Sequence, residues 1–337
     1  MRRIKDECQT IIQEFALSLN GKNVITECAT GPYSLTGPLA ALAGADRVLC
    51  LGIDSADFGS FEEAQRQTLD AARRFGVAER ISCARRTSVT SIADLPGSTI
   101  ITNLRGVRPV VKDILRLSRG PSVVCTMSEL WELRAGDVDL SACHEFGAAV
   151  VSTNEEHPGL KSIELVGLLC VQIAAVYKLP LASARIGVIG AGKFARATTQ
   201  MLLQWNEVEC AVDSLALEEM INGLERFDYV VNADHDAAVL TMSSGSLLIE
   251  RASGLSMPII SLTGLPDGAR TDYDLLIPTR RVQPRQMTVA LDALGPWPVV
   301  RLHAAGLRAG QYVLDVLDRA EDVRPASSFV EEVICGP

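Results

Sequence analysis

The stretch Ile186-Gly187-Val188-Ile189-Gly190-Ala191-Gly192-Lys193-Phe194-Ala195 leaves a chain little choice of local structure. Its apolar start reads as a buried strand, the glycines at 190 and 192 force a tight turn, and the residues that follow have helical spacing. Each small residue has a mechanical task. Gly190 permits the turn, Gly192 lets another group approach the backbone, and Ala195 lets the helix lie close on its strand. A strand buried on both faces needs cover on both sides, so the unit implies a mostly parallel sheet with helices above and below.

The same alternation runs along the chain. Strands are predicted at 24–28, 47–53, 81–84, 99–103, 122–126 and 148–152, with helices at 35–42, 61–74, 109–117 and 140–146. A second series follows Pro180, with strands at 184–190, 208–212, 229–232, 246–249 and 259–262 and helices at 191–205, 217–224 and 309–320. At 337 residues the chain has room for about two domains. The expected architecture is α/β, with two Rossmann-like or flavodoxin-like domains at 1–155 and 156–305 and a C-terminal helix at 306–337 that returns to the first domain. Between the two series, residues 161–177 form a helix that is hydrophobic nearly all round and is stopped by Pro180. Such a helix is buried. Three placements fit it: between the domains, against a second copy in a homodimer, or in the core of the second domain.

Composition narrows the function classes. A chain that is 47% hydrophobic and 22% charged is globular. Its net charge of -9, with no cluster of Lys or Arg, argues against nucleic acid as a partner. The nine cysteines lie 18 or more residues apart with no C-x-x-C pair, the pattern of reduced thiols in a cytoplasmic protein and not of a structural metal site. The first 17 residues lack an uninterrupted apolar core, and the longest apolar stretch, 163–177, falls short of the roughly 20 residues that cross a bilayer. A soluble protein without a membrane partner is expected.

The glycine turn carries a chemical implication. Backbone N–H groups and the dipole at a helix N-terminus favour an anion, so Gly190, Gly192, Lys193, Phe194 and Ala195 are candidates to hold a dinucleotide pyrophosphate. The next strand ends at Asp213, where an acid binds a ribose 2′-hydroxyl and repels a 2′-phosphate. That favours NAD, with NADP left open by Lys193 and Arg196. Ala233 and Asp234 follow the strand at 229–232 and join the cofactor candidates, while His235 beside them could contact substrate. Two Asp/His doublets without a spaced third ligand do not make a metal site.

From about 97 to 205 the order of residues resembles the D-2-hydroxyacid dehydrogenase family. The resemblance rests on Thr99 to Arg105, on Asp137-Val-Asp139-Leu140-Ser-Ala142 running to Gly147 and Asn154, on Ser162-Ile-Glu164-Leu165, and on the glycine turn at the matching distance. It implies a two-domain NAD-dependent oxidoreductase acting on a small carboxylate-bearing substrate, assembled as a homodimer through the 161–177 helix. It also implies His303, in Arg301-Leu-His303-Ala-Ala-Gly306, as proton donor, and Arg251 as the anchor of the substrate carboxylate. Asn103, Arg105, Asn154 and His157 are then substrate-side candidates. Two departures stand out. Met127 to Arg134 replaces the family's glycine-rich loop with bulky charged residues, and Asp267, Asp272, Asp274 and Asp292 compete as the acid that would orient His303.

The first hundred residues fit that family less well. Glu27-Cys-Ala29-Thr-Gly31-Pro32, with a second strand ending at Asp54, is similar to the E-x-G-x-G loop of S-adenosylmethionine-dependent methyltransferases, although Ala29 stands where that loop has its first glycine. A methyltransferase-like enzyme and a catalytically silent dinucleotide-binding protein are the alternatives to the oxidoreductase.

Overall fold

Parallel strands need long crossover connections, and here helices supply them. The computed structural model describes residues 2–56, 59–92, 94–266, 268, 275–279, 282, 286–319 and 329–336. In chain order the first elements are helix α1 (Arg2–Glu14), strand β1 (Asn23–Glu27), α2 (Thr36–Leu42), β2 (Arg47–Gly52), α3 (Phe61–Phe75), β3 (Ile81–Arg85), β4 (Thr99–Thr102), α4 (Lys112–Leu115), β5 (Ser122–Cys125), α5 (Leu140–Glu145) and β6 (Ala148–Thr153). Then come α6 (Ser162–Val176), β7 (Arg185–Ile189), α7 (Lys193–Leu202), β8 (Glu207–Ala211), α8 (Ser214–Asn222), β9 (Tyr229–Asn232), α9 (Met242–Leu255), β10 (Ile259–Ser261), β11 (Leu276–Ile277), α10 (Pro296–Leu317) and β12 (Val330–Cys335). They sort into two units, Met1–Leu160 with Gly295–Pro337, and Lys161–Leu294.

The first unit holds a sheet in the order β12-β6-β5-β4-β1-β2-β3, parallel except for β12, which runs antiparallel to β6. Successive residues of a strand face opposite sides. Val24, Cys50, Ile100, Val123 and Val151 therefore pack with α1, α2, α3 and α10, while Ile25, Leu51, Ile101, Val124 and Val150 pack with α4, α5 and the 3-10 turn at Arg86–Ser91. Local signals set the helix ends. The Ser60 hydroxyl accepts from Glu63 N at the start of α3, Glu62 and Glu63 sit in its first turn, Arg73 and Arg74 in its last, and left-handed Gly76 ends it.

The second unit holds a parallel sheet in the order β11-β10-β9-β7-β8. One face buries Ile189, Val230 and Ile259 against α8 and α9, and α6 packs along α7. In each sheet the chain moves out to one side of its first strand and later returns to the other side. The reversals lie between β1 and β4 in the first unit and between β7 and β9 in the second. Open α/β sheets bind ligands past the strand C-termini at such points.

The structure corrects several sequence expectations. Residues 246–249, expected as a strand, lie inside α9, which a reciprocal Thr241 and Ser244 cap starts and which buries Gly245, Leu248, Ile249 and Ala252 at helical spacing. The helix expected at 109–117 contracts to Lys112–Leu115, because Val110 is held in a β-bridge with Val138. The last helix starts at Pro296 and not at 309, with proline in its first turn where a missing N–H costs nothing, and residue 320 lies outside the described residues. The junctions fall after Leu160 and Leu294 and not after 155 and 305, because α10 buries Ala304, Leu307, Val313 and Leu314 in the core of the first unit. Sequence reading assigned no element to α1 or β11, and the C-terminal helix expected over 306–337 ends at Leu317, with Val330–Cys335 forming β12 against β6. All nine cysteines are free. Among the described residues no helix is long and apolar enough to cross a membrane, and no group of His, Cys, Asp and Glu is placed to hold a metal ion.

Candidate functional site

The reversal in the second unit is built from the glycine turn. Leaving β7, Gly190 takes a φ of +134°, and a Cβ there would meet the Ala233 carbonyl oxygen at 3.0 Å and Ala195 Cβ at 3.1 Å. The turn, the helix that follows it and the end of β9 are thus in contact through a position only glycine fits. Gly192 is the N-cap of α7, so the first turn of that helix, Lys193 to Ala195, presents its N-terminal backbone N–H groups at the C-terminal edge of the sheet. Phe194 and Ala195 are buried, Lys193 is half-buried and Arg196 is exposed. On the neighbouring strand, Asp213 lies exposed just past β8 and caps α8, with Oδ1 accepting from Ala216 N at 2.9 Å.

The loop after β9 closes the other side. Asn232 donates to Ser261 Oγ and to the Thr263 carbonyl, and its Oδ1 accepts from Asp234 N. The Asp234 carboxylate accepts from the backbone N–H groups of Ala238, Val239 and Leu240 at 3.2, 3.0 and 2.7 Å, so it shapes its own loop. His235 follows, 6% exposed, with its ring stacked on Phe194 at 4.5 Å between centroids and 23° between planes. A Cβ at Gly192 would come to 2.9 Å from His235 Nδ1 and closer still to Cε1. The imidazole therefore lies directly on the glycine. Burial pushes its pKa below the usual histidine range. Asp236 opposes that, Lys193 and Arg196 add to it, and Asp234 pulls the other way.

The remaining candidates lie on other elements. Arg251 is on the exposed side of α9 and makes no hydrogen bond or ion pair among the described residues. Nine residues into that helix, it stands about 13 Å from the helix start and so from the strand C-termini. His303 is in α10, in the first unit, 3% exposed, with Nδ1 2.6 Å from Thr36 Oγ1 and its ring 5.8 Å from that of Tyr33. Burial holds its pKa down to about 4, so the ring is neutral near pH 7 and does not match the proton donor expected from the sequence. Asp292 lies in a 3-10 turn at Leu291–Leu294, and Asp267, Asp272 and Asp274 lie outside the described residues.

On the first unit, Asn103 is buried past β4 and its Oδ1 accepts from Met127 N at 3.0 Å, and Arg105 is exposed two residues later. Asn154 Oδ1 accepts from Glu156 N in a turn after β6. His157 stacks on Phe329 at 4.1 Å and its Nδ1 accepts from Gly159 N, while burial and then Arg301 lower its pKa. An imidazole that accepts at Nδ1 and sits between rings packs a turn.

No protein-family model matches the chain, and no curated protein matches its sequence. Among solved structures, a dipicolinate synthase from Bacillus subtilis superposes with a TM-score of 0.53 at 12% identity, covering 91% of this chain and 100% of that one. A dipicolinate synthase from Bacillus halodurans superposes at 0.50, with 12% identity over 90% of this chain and 98% of that one. This chain has their fold. An NAD-dependent formate dehydrogenase from Staphylococcus aureus, in complex with NAD, matches at a TM-score of 0.41 and 10% identity over 94% of this chain and 100% of that one, too loosely to add to that result.

Within this fold, the reversal in the first unit carries residues that the sequence-derived site left out. Glu27 ends β1, Arg108 lies on the chain leaving β4, and Glu132 and Arg134 lie past β5. Glu27 stood out in the sequence only as part of a loop similar to a methyltransferase's, and Glu132 and Arg134 only as part of a charged replacement for a glycine loop. The space past β1 does not suit an adenosyl group. The chain at Gly106 crosses it so closely that a Cβ there would overlap the Leu51 carbonyl oxygen.

Proposed function

We propose that the second unit binds a nicotinamide dinucleotide, NAD in preference to NADP, and that the protein is an oxidoreductase acting on a small carboxylate-bearing molecule. The observation that carries the reading is the glycine turn at the reversal between β7 and β9, with Gly190 and Gly192 in positions a side chain would fill and Asp213 at the end of the adjacent strand. The residues present fit that group. The N-terminus of α7 and the charges of Lys193 and Arg196 hold the diphosphate, Gly192 lets it reach the backbone, Ala233 walls the turn, and Asp213 accepts from the ribose 2′-hydroxyl. The dinucleotide, when bound, supplies the hydride acceptor or donor. For a diphosphate to rest on Gly192, the His235 ring has to shift from its place over that residue. A cytoplasmic homodimer paired through α6 belongs to the same reading. Leu168 and Val176 on that helix and Tyr177 at its end are exposed, and sedimentation of the purified protein tests the pairing.

Calorimetric titration of NADH, NADPH and S-adenosylmethionine into wild type and Gly192→Val tests the rest. NADH is expected to bind more tightly than NADPH, S-adenosylmethionine not at all, and the valine to weaken NADH at least about tenfold, since it removes the close approach that the backbone donors require. Absence of dinucleotide binding to wild type, or binding indifferent to the valine, refutes the site. Binding without turnover on any carboxylate substrate would leave a dinucleotide-binding protein without oxidoreductase activity.

A further inference from the structure

The C-terminal edge of the first unit's sheet carries chemistry that the dinucleotide site does not use. Where β1 ends in Glu27, the chain leaving β4 passes over it at Gly106, whose Cβ would come to 3.0 Å of Glu27 Cβ. Glu27 is 6% exposed, and among the described residues its carboxylate meets a single donor, Gly106 N, at 3.5 Å. The same crossing brings Arg105 and Arg108 over the end of β1. Arg108 pairs with Asp137 at 3.0 Å, while its Nε is buried with no acceptor among the described residues. The loop after β5 adds Glu132 and Arg134. Arg108 exerts its charge on both Glu27 and Glu132, Arg105 on Glu27, and Arg134 on Glu132. Glu129 and Glu155 stand at the same edge and are engaged, with Trp131 Nε1 and Glu129 N as their donors.

A buried carboxyl with one long hydrogen bond, beside a guanidinium donor with no acceptor, costs stability that an apolar pair would not. Packing therefore gives no reason for the arrangement, and its position at the chain reversal gives a functional one. Burial pushes the Glu27 carboxyl up to about 7, against the lowering pull of Gly106 N–H, Arg108 and Arg105. Burial also raises Glu132, opposed by Arg134 and Arg108, helped by Glu129 and lowered by a hydrogen bond from Ser128.

We propose that this edge binds a small carboxylate through Arg105, Arg108 and Arg134, and that Glu27 takes up a proton as the ligand binds. A guanidinium fork matches a carboxylate bidentately. Once the ligand neutralises those guanidiniums, the long hydrogen bond from Gly106 N is what still favours ionised Glu27 among the described residues, so its carboxyl rises further and takes up a proton at pH 7, at most about half a proton per ligand. As the substrate site, this edge rests on the oxidoreductase reading. As a carboxylate site it is tested without any dinucleotide, so the two fail separately.

The test is calorimetric titration of the full chain with oxalate, malonate and malate at pH 7, run in PIPES and in Tris so that the difference in buffer ionisation heat counts protons. At least one probe is expected to saturate with net proton uptake. Glu27→Gln should still bind but lose that uptake, at most about half a proton, and Arg105→Ala and Arg134→Ala, both at exposed positions, should each weaken binding about tenfold. If Glu27→Gln does not fold by circular dichroism, the two arginine variants decide. No saturable binding by wild type below 10 mM of any probe (~10 mM being the weak end of useful affinity), uptake unchanged in a folded Glu27→Gln, or unchanged affinity in both arginine variants overturns the proposal.

Discussion

Gly192 has two reasons to be glycine, and a double-variant cycle separates them. At a φ of -79° an alanine there is unstrained, so only its methyl matters. That methyl would overlap the His235 ring, and restoring a normal carbon contact requires the ring to retreat by roughly 1 Å. The retreat disturbs the stack on Phe194, worth about 1 kcal/mol, within an overpacking cost of about 1–3 kcal/mol. Exchanging glycine for alanine at an N-cap costs several tenths more, offset by a comparable loss of unfolded-chain freedom. Urea unfolding of wild type, Gly192→Ala, His235→Ala and the double variant should therefore show the alanine at 192 costing about 1–3 kcal/mol beside His235 and near zero without it. Equal cost in both backgrounds refutes the packing of His235 on Gly192. NADH titration of the same four proteins reads the second reason. The double variant should remain a poor binder, because its methyl still separates a phosphate from the backbone. If it recovers both stability and wild-type affinity, the glycine serves His235 alone and the phosphate site is misplaced.

Two further outcomes follow from the buried polar groups. The folded pKa of His303, about 4 against an ordinary 6.5, means that between those pH values the unfolded chain binds the extra proton, so stability falls as pH drops from 6.5 towards 4. The full effect is about 3 kcal/mol. His303→Gln should flatten that part of the stability profile relative to wild type, with the opposite contribution of Glu27 common to both, and parallel profiles would mean that the imidazole is not held neutral. Asp234→Ala leaves three backbone N–H groups without their acceptor and should cost about 2–3 kcal/mol. Hydrogen exchange at Val239 and Leu240 should accelerate with it, and unchanged exchange there would show that the carboxylate does not organise the loop.

What could be read from the sequence was what short range decides. The strand Tyr229–Asn232 and the glycine turn are legible because an apolar run and two glycines have few alternatives. Arg251 was misplaced by one choice between strand and helix at 246–249, where the short apolar run Leu247-Leu248-Ile249 competed with a cap five residues upstream. His303 was assigned to the wrong unit because nothing near it says which core its helix will join. That is settled by partners such as Thr36, far away in sequence. Glu27 was visible as an acid at a strand end, but its burial depends on Gly106 crossing over it from another loop, a contact no local pattern encodes.

The membership of α10 in the first unit has a consequence for biosynthesis. The first 160 residues emerge with Ile100, Val123, Cys125, Ala149 and Val151 lining a sheet face whose cover is α10. The whole of Lys161–Leu294 is translated before that helix, an interval on the order of ten seconds at common elongation rates. Over that interval an apolar face waits uncovered, and by its end the second unit has the strands β7 to β11 of its own sheet. The unit encoded first is completed last, and the nascent chain needs protection on that one face until its final helix is made.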